Sequence, residues 1–473
     1  MPEPIPQIEV RADAEAFLDD RIGQGVKPGL DRIAGLMEFA GNPELTYPSI
    51  HIAGTNGKTT VSRMVQQILG AHGLTTGGFT SPHLETVEER FTVHGTPVTS
   101  EEFTDAVRDL AWFVTAYEDR AGTPVTYFEV TAALALSIFA SASVDVAVVE
   151  VGLGGRLDAT NIIDGAVSVV TGIDIDHTEF LGSEISQIAT EKVAILKANG
   201  TLVTGRLPDE AIAPIADRVA ETNAKWIRRD QDFSVTDASI AVGGWQCSFE
   251  GVFAEYDELY LPVHGHHQVD NLATAIATSE MFLGRALDPE LLLVAVASLS
   301  SPGRLEVVGR RPVVIVDGCH NQQGFRGLAD TLDAEFPPVQ WKLVLAVRGE
   351  RSIRELLRPM KGRVDQVFAT TVADPLAWEP SVVAEAASEA LGVPAEAFED
   401  PTTAVEAATI AAGRDGGVAV AGSLYLAGEV RATFDVVDRP LEDAHLRFEA
   451  ERVDDGDDDM HDVDPDEEVS FLG

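Results

Sequence analysis

Two hydrophobic rhythms alternate along this chain. Short, continuous runs of β-branched residues recur, and between them lie stretches with an apolar residue at every third or fourth position. "SIHIAG" reads as a strand entering a glycine turn, followed by a helix over 58–72. "VDVAVVEVG" (144–152) and "AVSVVTGI" (166–173) are the uninterrupted runs of strands buried on both faces. "SEISQIATEKVAILKANG" predicts an amphipathic helix stopped by Gly200. The most apolar run, "VTAALALSIFASASV" (130–144), is too short to span a bilayer and reads as a buried helix. From 232 to 264 short alternating strands predict a small antiparallel insert, and a helix follows near Asn271. "LSSPGRLEVV" (299–308) marks a domain boundary, beyond which "PVVIVDG", "WKLVLAV", "VDQVFAT" and "GVAVAGS" read as further strands. The expected fold is α/β: a mostly parallel sheet domain over 1–300, then a smaller Rossmann-like α/β domain over 301–445.

Charge alters this picture. The chain has 473 residues, with 34 basic against 77 acidic side chains and a net charge of −43. Such a surface repels nucleic acid and anionic membranes. Acidic residues run through the whole chain, which predicts an enzyme of a very salty cytoplasm, where salt screens self-repulsion. Ten of the fifteen residues 454–468 are acidic, so 446–473 reads as a disordered tail. Two cysteines, Cys247 and Cys319, fit a reducing compartment. No basic stretch followed by an apolar core opens the chain, so a cytoplasmic location is expected.

"GTNGKTT" carries the clearest chemistry. The common phosphate loop places a glycine six residues before its lysine, but here that position is Ile52 and the first glycine is Gly54. Strand, glycine turn and helix nevertheless form the arrangement that wraps phosphate in backbone N–H groups. Lys58 would reach the β- and γ-phosphates, and Thr59 or Thr60 could face a magnesium ion. Glu150 ends a buried strand, where a carboxylate is costly unless paired or bound to metal; a salt-bridged glutamate is the plainer alternative. His177 and Lys192, taken singly, read as ordinary surface or structural residues. Arg304 sits at the domain boundary, suited either to clamping a γ-phosphate or to an interdomain salt bridge. Asp317 and His320 follow a strand.

Together these blocks resemble the folylpolyglutamate synthase and dihydrofolate synthase family of the Mur ligase superfamily. "GLDRI", "GTNGKTT", "SPHLETVEERF", "TYFEVTAALAL", "EVGLGGRLDATN", "DHTEFLG", "IATEKVAILK", "HQVDNLATA", "PGRLEVV", "DGCHNQQG" and "GSLYLAGEVR" occur in family order. The short G-T-N-G-K loop is the superfamily's form. The resemblance implies a Mur-ligase-like P-loop ATPase domain and a C-terminal glutamate-ligase domain. It implies that Gly54, Thr55, Asn56, Gly57, Lys58, Thr59 and Thr60 hold ATP phosphates, with further ATP contacts from Asn271, Arg304 and Asp317. It implies two Mg²⁺ ions on Ser81, Glu150, His177 and a carbamylated Lys192, with a monovalent cation such as K⁺. Thr126, Tyr127, Phe128 and Glu129, with Leu157, Asp158 and Ala159, match pterin-substrate contacts. His320, Ser423 and Tyr425 lie in motifs near the incoming L-glutamate.

The implied reaction joins L-glutamate to dihydropteroate, and to the γ-carboxyl of folate tails, through an acyl phosphate; a tail-extending enzyme alone is the alternative. A monomer is expected. "GKTT" is closer to the Mur ligases than to many folate members, "HNQ" stands for the usual H-N-P, and Cys319 for a common Ala. Two rivals remain. A cell-wall Mur ligase would carry a further domain before the loop, where only 53 residues precede Gly54. A non-catalytic nucleotide-binding scaffold would not need Ser81, Glu150, His177 and Lys192.

Overall fold

A computed structural model describes residues 6–434 except 26, 338 and 350. The proposed acidic tail lies outside the described residues.

The first lobe is built on an eight-stranded sheet: β1 (Ser49–Ala53), β2 (Thr76–Phe79), β3 (Phe91–Val93), β4 (Thr96–Pro97), β5 (Val146–Glu150), β6 (Gly165–Val170), β7 (Thr201–Thr204) and β8 (Lys225–Arg228). The order is β4-β3-β2-β5-β1-β6-β7-β8. Strands β2, β5, β1, β6, β7 and β8 run parallel, and β3 and β4 close one edge antiparallel. Every residue of β1 and of β5 is buried, because helices cover both faces. On one face pack the Lys58–Ala71 and His266–Leu283 helices; on the other packs Tyr127–Ser141. A separate sheet of β9 (Ser234–Ala241), β10 (Gly244–Glu250) and β11 (Glu255–Leu261) is antiparallel throughout.

The second lobe holds β12 (Glu306–Arg310), β13 (Val313–Val316), β14 (Trp341–Leu345), β15 (Val364–Ala369), β16 (Ala395–Ala397) and β17 (Gly417–Ala421), in the order β12-β13-β17-β14-β15-β16. All pairs are parallel except β12 with β13.

One helix is shorter than its pattern predicts. Apolar periodicity continues to Gly200, but the helix spans Ile185–Val193. The carbonyl of Glu191 accepts from the Arg156 backbone N–H at 2.9 Å instead of from the next helical turn. The chain then tightens, with Leu196 N–H donating to Val193, and Leu196 is fully buried. Tertiary contacts here override local periodicity, and Lys192 falls in the last helical turn.

Among the described residues, three contacts between the lobes stand out besides the connecting chain. The Gln322–Glu335 helix has its first turn at the cleft and its last residue against the first lobe, about 20 Å away at 1.5 Å per residue. There Glu335 accepts from Trp245 Nε1 at 3.1 Å and from Gly265 N–H at 2.8 Å, and lies 2.8 Å from His264 Nδ1. Near the other end, Leu84 wedges against Gly303 and Gly428. Arg431 joins Glu306 of its own lobe (2.9 Å) to Glu85 beside Leu84 (2.5 Å). Across the cleft mouth, Asn321 donates to Asn56 and to Asp176, both at 3.1 Å.

Candidate active site

In a parallel sheet, ligand-binding loops gather at the carboxyl ends of the strands. Here β1, β5 and β6 are neighbours, with Ile52 opposite Glu150 and Ala53 opposite Val170. The loop after β1, the last residue of β5 and the loop after β6 therefore reach one edge. In the second lobe β13, β17 and β14 are neighbours too, and deliver Asp317, Ser423 and Arg348. Both sets line one cavity of about 600 Å³.

The glycine loop is tightly braced. Thr55 N–H donates to Gly172 O at 2.8 Å, and Thr171 Oγ1 to Asn56 O at 2.6 Å. Gly57 has φ +84°, and a Cβ there would lie 2.6 Å from Asn271 Oδ1. Only glycine permits this turn beside the asparagine. Lys58 Nζ donates to Gly54 O (3.0 Å) and Thr55 O (3.3 Å). Thr60 is buried, while Thr59 faces the cavity and donates to both Glu150 oxygens, at 2.9 and 3.1 Å.

Glu150 is 1% exposed. Burial pushes its carboxyl up, against the Lys58 charge, the Thr59 hydroxyl, the Arg304 charge and the Ser81 N–H, which favour the anion. A carboxylate that leans on neutral donors and distant cations suits a divalent cation. Ser81, which precedes a cis peptide to Pro82, and His177, held at φ +50°, line the same cavity. Carboxylate, hydroxyl and imidazole together make an oxygen-rich donor set that fits Mg²⁺.

Lys192 is 5% exposed and donates from Nζ to Gly54 O at 2.9 Å. Burial, aided by the Lys58 charge, brings its pKa down to about 7.

From the second lobe, Asp317 accepts from Leu305 N–H and Cys319 N–H, at 2.8 and 2.7 Å. This fixes the turn that presents Arg304, with Leu305 held at φ +50°. His320 stands 3.7 Å from Asp176. Burial raises the Asp176 carboxyl, but the nearby His320 and His177 and the Asn321 hydrogen bond outweigh it and hold the group well below the usual range. Tyr425 lies under the Arg348 guanidinium at 5.2 Å, and Ser423 caps the helix that Leu424 begins. The Cys319 thiol is pushed well up by burial and the nearby Asp317, so it stays protonated and unreactive.

The residues matched to pterin contacts divide. Thr126 and Glu129 form a capping box on the Tyr127–Ser141 helix, and Glu129 also takes Arg32 Nε at 2.9 Å. Asp158 accepts from Leu153 N–H and from Thr160, and Ala159 packs in the core. These four side chains are spent inside the wall, and none of the seven matched residues lines the cavity of about 600 Å³. Tyr127, Phe128 and Leu157 are the members with exposed surface. Among the polar cavity residues that escaped the sequence reading are Asp176, Arg206, Gln323, Arg348 and Arg351. Gln323 also hydrogen-bonds Asn56 across the cleft.

The two lobes correspond to two modules of a known ligase class. Residues 52–279 match the Mur ligase middle domain, and residues 303–424 match the Mur ligase, glutamate ligase domain. A dihydrofolate synthase/folylpolyglutamate synthase of Mycobacterium tuberculosis is 36% identical over 452 residues, covering 89% of this chain and 93% of that protein. The chain belongs to the dihydrofolate synthase/folylpolyglutamate synthase family. The M. tuberculosis folylpolyglutamate synthase complexed with ADP and AMPPCP superposes with a TM-score of 0.86 at 36% identity, over 91% of this chain and 100% of that one. An Escherichia coli protein in complex with DHPP and ADP gives 0.81 at 28% identity, over 94% and 100%.

Proposed function

We propose that this protein uses ATP to ligate L-glutamate to dihydropteroate and to the γ-carboxyl of reduced-folate tails. One observation carries the reading: Lys58, Glu150, His177 and Lys192 of one lobe face Arg304, Asp317, His320 and Ser423 of the other in a single cavity. The names of the relatives supply the substrate class.

Gly54 to Thr60 cradle the ATP phosphates, with Asn271 and Asp317 holding the nucleotide. The substrate carboxylate attacks the γ-phosphorus, giving an acyl phosphate and ADP, and Lys58 and Arg304 offset the charge in transfer. The amine of glutamate, near His320, Ser423 and Tyr425, then attacks the acyl carbon, and phosphate leaves with its oxygen. The amine must lose a proton, and His320, beside Asp176, is placed to take it. Tyr127, Phe128 and Leu157 face the pterin, backed by Thr126, Glu129, Asp158 and Ala159. Ser81, Glu150, His177 and a carbamylated Lys192 would hold Mg²⁺, which when bound neutralises phosphate charge. Neutral Lys192 attacks CO₂ and releases a proton, turning a repelling ammonium into an anion.

Contact between the lobes shields the acyl phosphate from water. Among the described residues no helix is long and apolar enough to cross a membrane, which accords with action in the cytoplasm.

The test is glutamate-dependent ADP release by the purified protein, with dihydropteroate and tetrahydrofolate in separate reactions. Turnover of both is expected. Turnover of tetrahydrofolate alone would leave a tail-extending enzyme, and turnover of neither would refute the reading.

A further inference from the structure

Arg90 is a buried cation that the reaction scheme above does not use. It ends the short Val87–Arg90 turn, is 7% exposed, and sends Nε to His83 Nδ1 at 2.9 Å. Its guanidinium carbon lies 5.3 Å from the centre of the Tyr127 ring. Among the described residues no carboxylate forms an ion pair with it. The adjacent acids are committed elsewhere. Glu88 takes Arg11 at 2.5 and 3.0 Å and the Ser100 hydroxyl at 3.1 Å. Glu89 takes the backbone N–H groups of Leu84, Glu85 and Thr86 at 2.9, 2.8 and 2.8 Å.

A buried charge without a partner is costly. In a chain with 77 acids for 34 bases, a missing counter-ion is not for want of candidates. Among the described residues the two Nη groups make no hydrogen bond, yet neither is among the sealed, unpaired polar atoms. They are therefore not sealed, although neither Arg90 nor Tyr127 lines the cavity described above. Their surroundings favour an anion with an aromatic body. Tyr127 is half-buried and opens a 15-residue helix whose N-terminus is capped by Thr126 and Glu129. The carbonyl of Arg90 accepts from Thr80 N–H at 3.1 Å, which sets it beside the residue preceding Ser81.

We propose that Arg90 is a substrate-docking residue: its free Nη edge receives a carboxylate of the pterin substrate, between the Tyr127 ring and the Ser81 turn. A guanidinium fork matches a carboxylate through two parallel hydrogen bonds, which a lysine cannot reproduce. The assignment rests on the functional reading above and adds a residue to it.

The test compares wild type with Arg90→Gln and Arg90→Lys. Arg90→Gln is expected to raise KM for dihydropteroate and tetrahydrofolate by at least about tenfold, leaving KM for ATP within about twofold, and Arg90→Lys to recover part of the loss. In equilibrium binding, Arg90→Gln should weaken dihydropteroate but not a dihydropterin lacking the benzoate. Unchanged KM values for both carboxylate substrates would overturn the proposal. Equal weakening of the carboxylate-free pterin would do so too, and would make Arg90 a brace for its loop; so would a lowered melting temperature with all KM values shifted alike. A wild type inert with both substrates would refute the functional reading itself.

Discussion

Lys192 Nζ is hydrogen-bonded to the carbonyl of Gly54, so the last turn of one helix holds the first residue of the phosphate loop. Its lowered pKa, about 7, leaves roughly half of the amine neutral at pH 7 and able to attack CO₂. We expect ¹³C-labelled CO₂ to give a carbamate NMR signal that Lys192→Gln abolishes. Lys192→Gln should also lower kcat by about a hundredfold or more. Absence of the signal, with activity indifferent to dissolved CO₂, would leave Lys192 only a brace of the loop.

Thr59 and Glu150 form the second testable pair. Replacing Thr59 with Ala removes the only side-chain hydroxyl that donates to Glu150 among the described residues. The Mg²⁺ concentration for half-maximal rate should rise several-fold, with KM for ATP little changed. Glu150→Gln removes the charge itself, and kcat should fall by about a hundredfold or more. Both are read from Mg²⁺ titrations of ADP release.

Gly428 tests the contact between the lobes. A Cβ at this position would lie 1.9 Å from the backbone oxygen of Leu84, which cannot swing aside like a side chain. Gly428→Ala should destabilise the protein by about 1–3 kcal/mol and lower kcat while ATP binding persists. Gly23→Ala, which meets nothing within 4 Å, is the control and should leave the melting temperature nearly unchanged.

His51 sets a pH dependence of stability. It is fully buried in β1, with Nε2 2.8 Å from Thr160 Oγ1. Burial, with the Lys197 charge, depresses its pKa from 6.5 to about 3. Below pH 6.5 the unfolded chain binds a proton that the folded one refuses. Stability should therefore fall as pH drops from 6.5 towards 3, by up to about 1.4 kcal/mol per pH unit from this group. Urea unfolding across that range should show a shallower slope for His51→Gln; an identical slope would remove His51 as the cause.

The acid excess predicts a salt dependence of the opposite kind from that of an ordinary ion-paired surface. Molar KCl should raise the melting temperature by screening self-repulsion. A protein equally stable in 0.1 M and 2 M KCl would not need a saline cytoplasm.

Much of the site was legible because it is built from local patterns. A β-branched run ending in Glu150, or a glycine turn between β1 and a helix, carries its burial and position within a few residues. Asn321 reaching Asn56 and Asp176 has no such signature, since the partners are joined only by how two sheets are placed. The early end of the Ile185–Val193 helix was hidden for the same reason: a distant Arg156 N–H takes the carbonyl that would have continued it. Thr126 and Glu129 are different, because their signal was present. T-x-x-E before an apolar run is a helix capping box, which already predicts that both side chains face their own backbone. Arg90 stood inside a quoted motif, but only the structure shows Glu88 and Glu89 turned away from it.

The grip of Trp245, His264 and Gly265 on Glu335 bears on how the enzyme opens. It is one anchor of the second lobe on the first, beside the connecting chain and the contact of Leu84 and Glu85 with Gly428 and Arg431. The Gln322–Glu335 helix is then a lever, gripped at Glu335 by three groups and held at Asn321 only by cleft hydrogen bonds to Asn56 and Asp176. A turn of about 10° at the Glu335 end sweeps the other end, about 20 Å away, through about 3.5 Å. That stroke is enough to part Asn321 from Asn56 and Asp176.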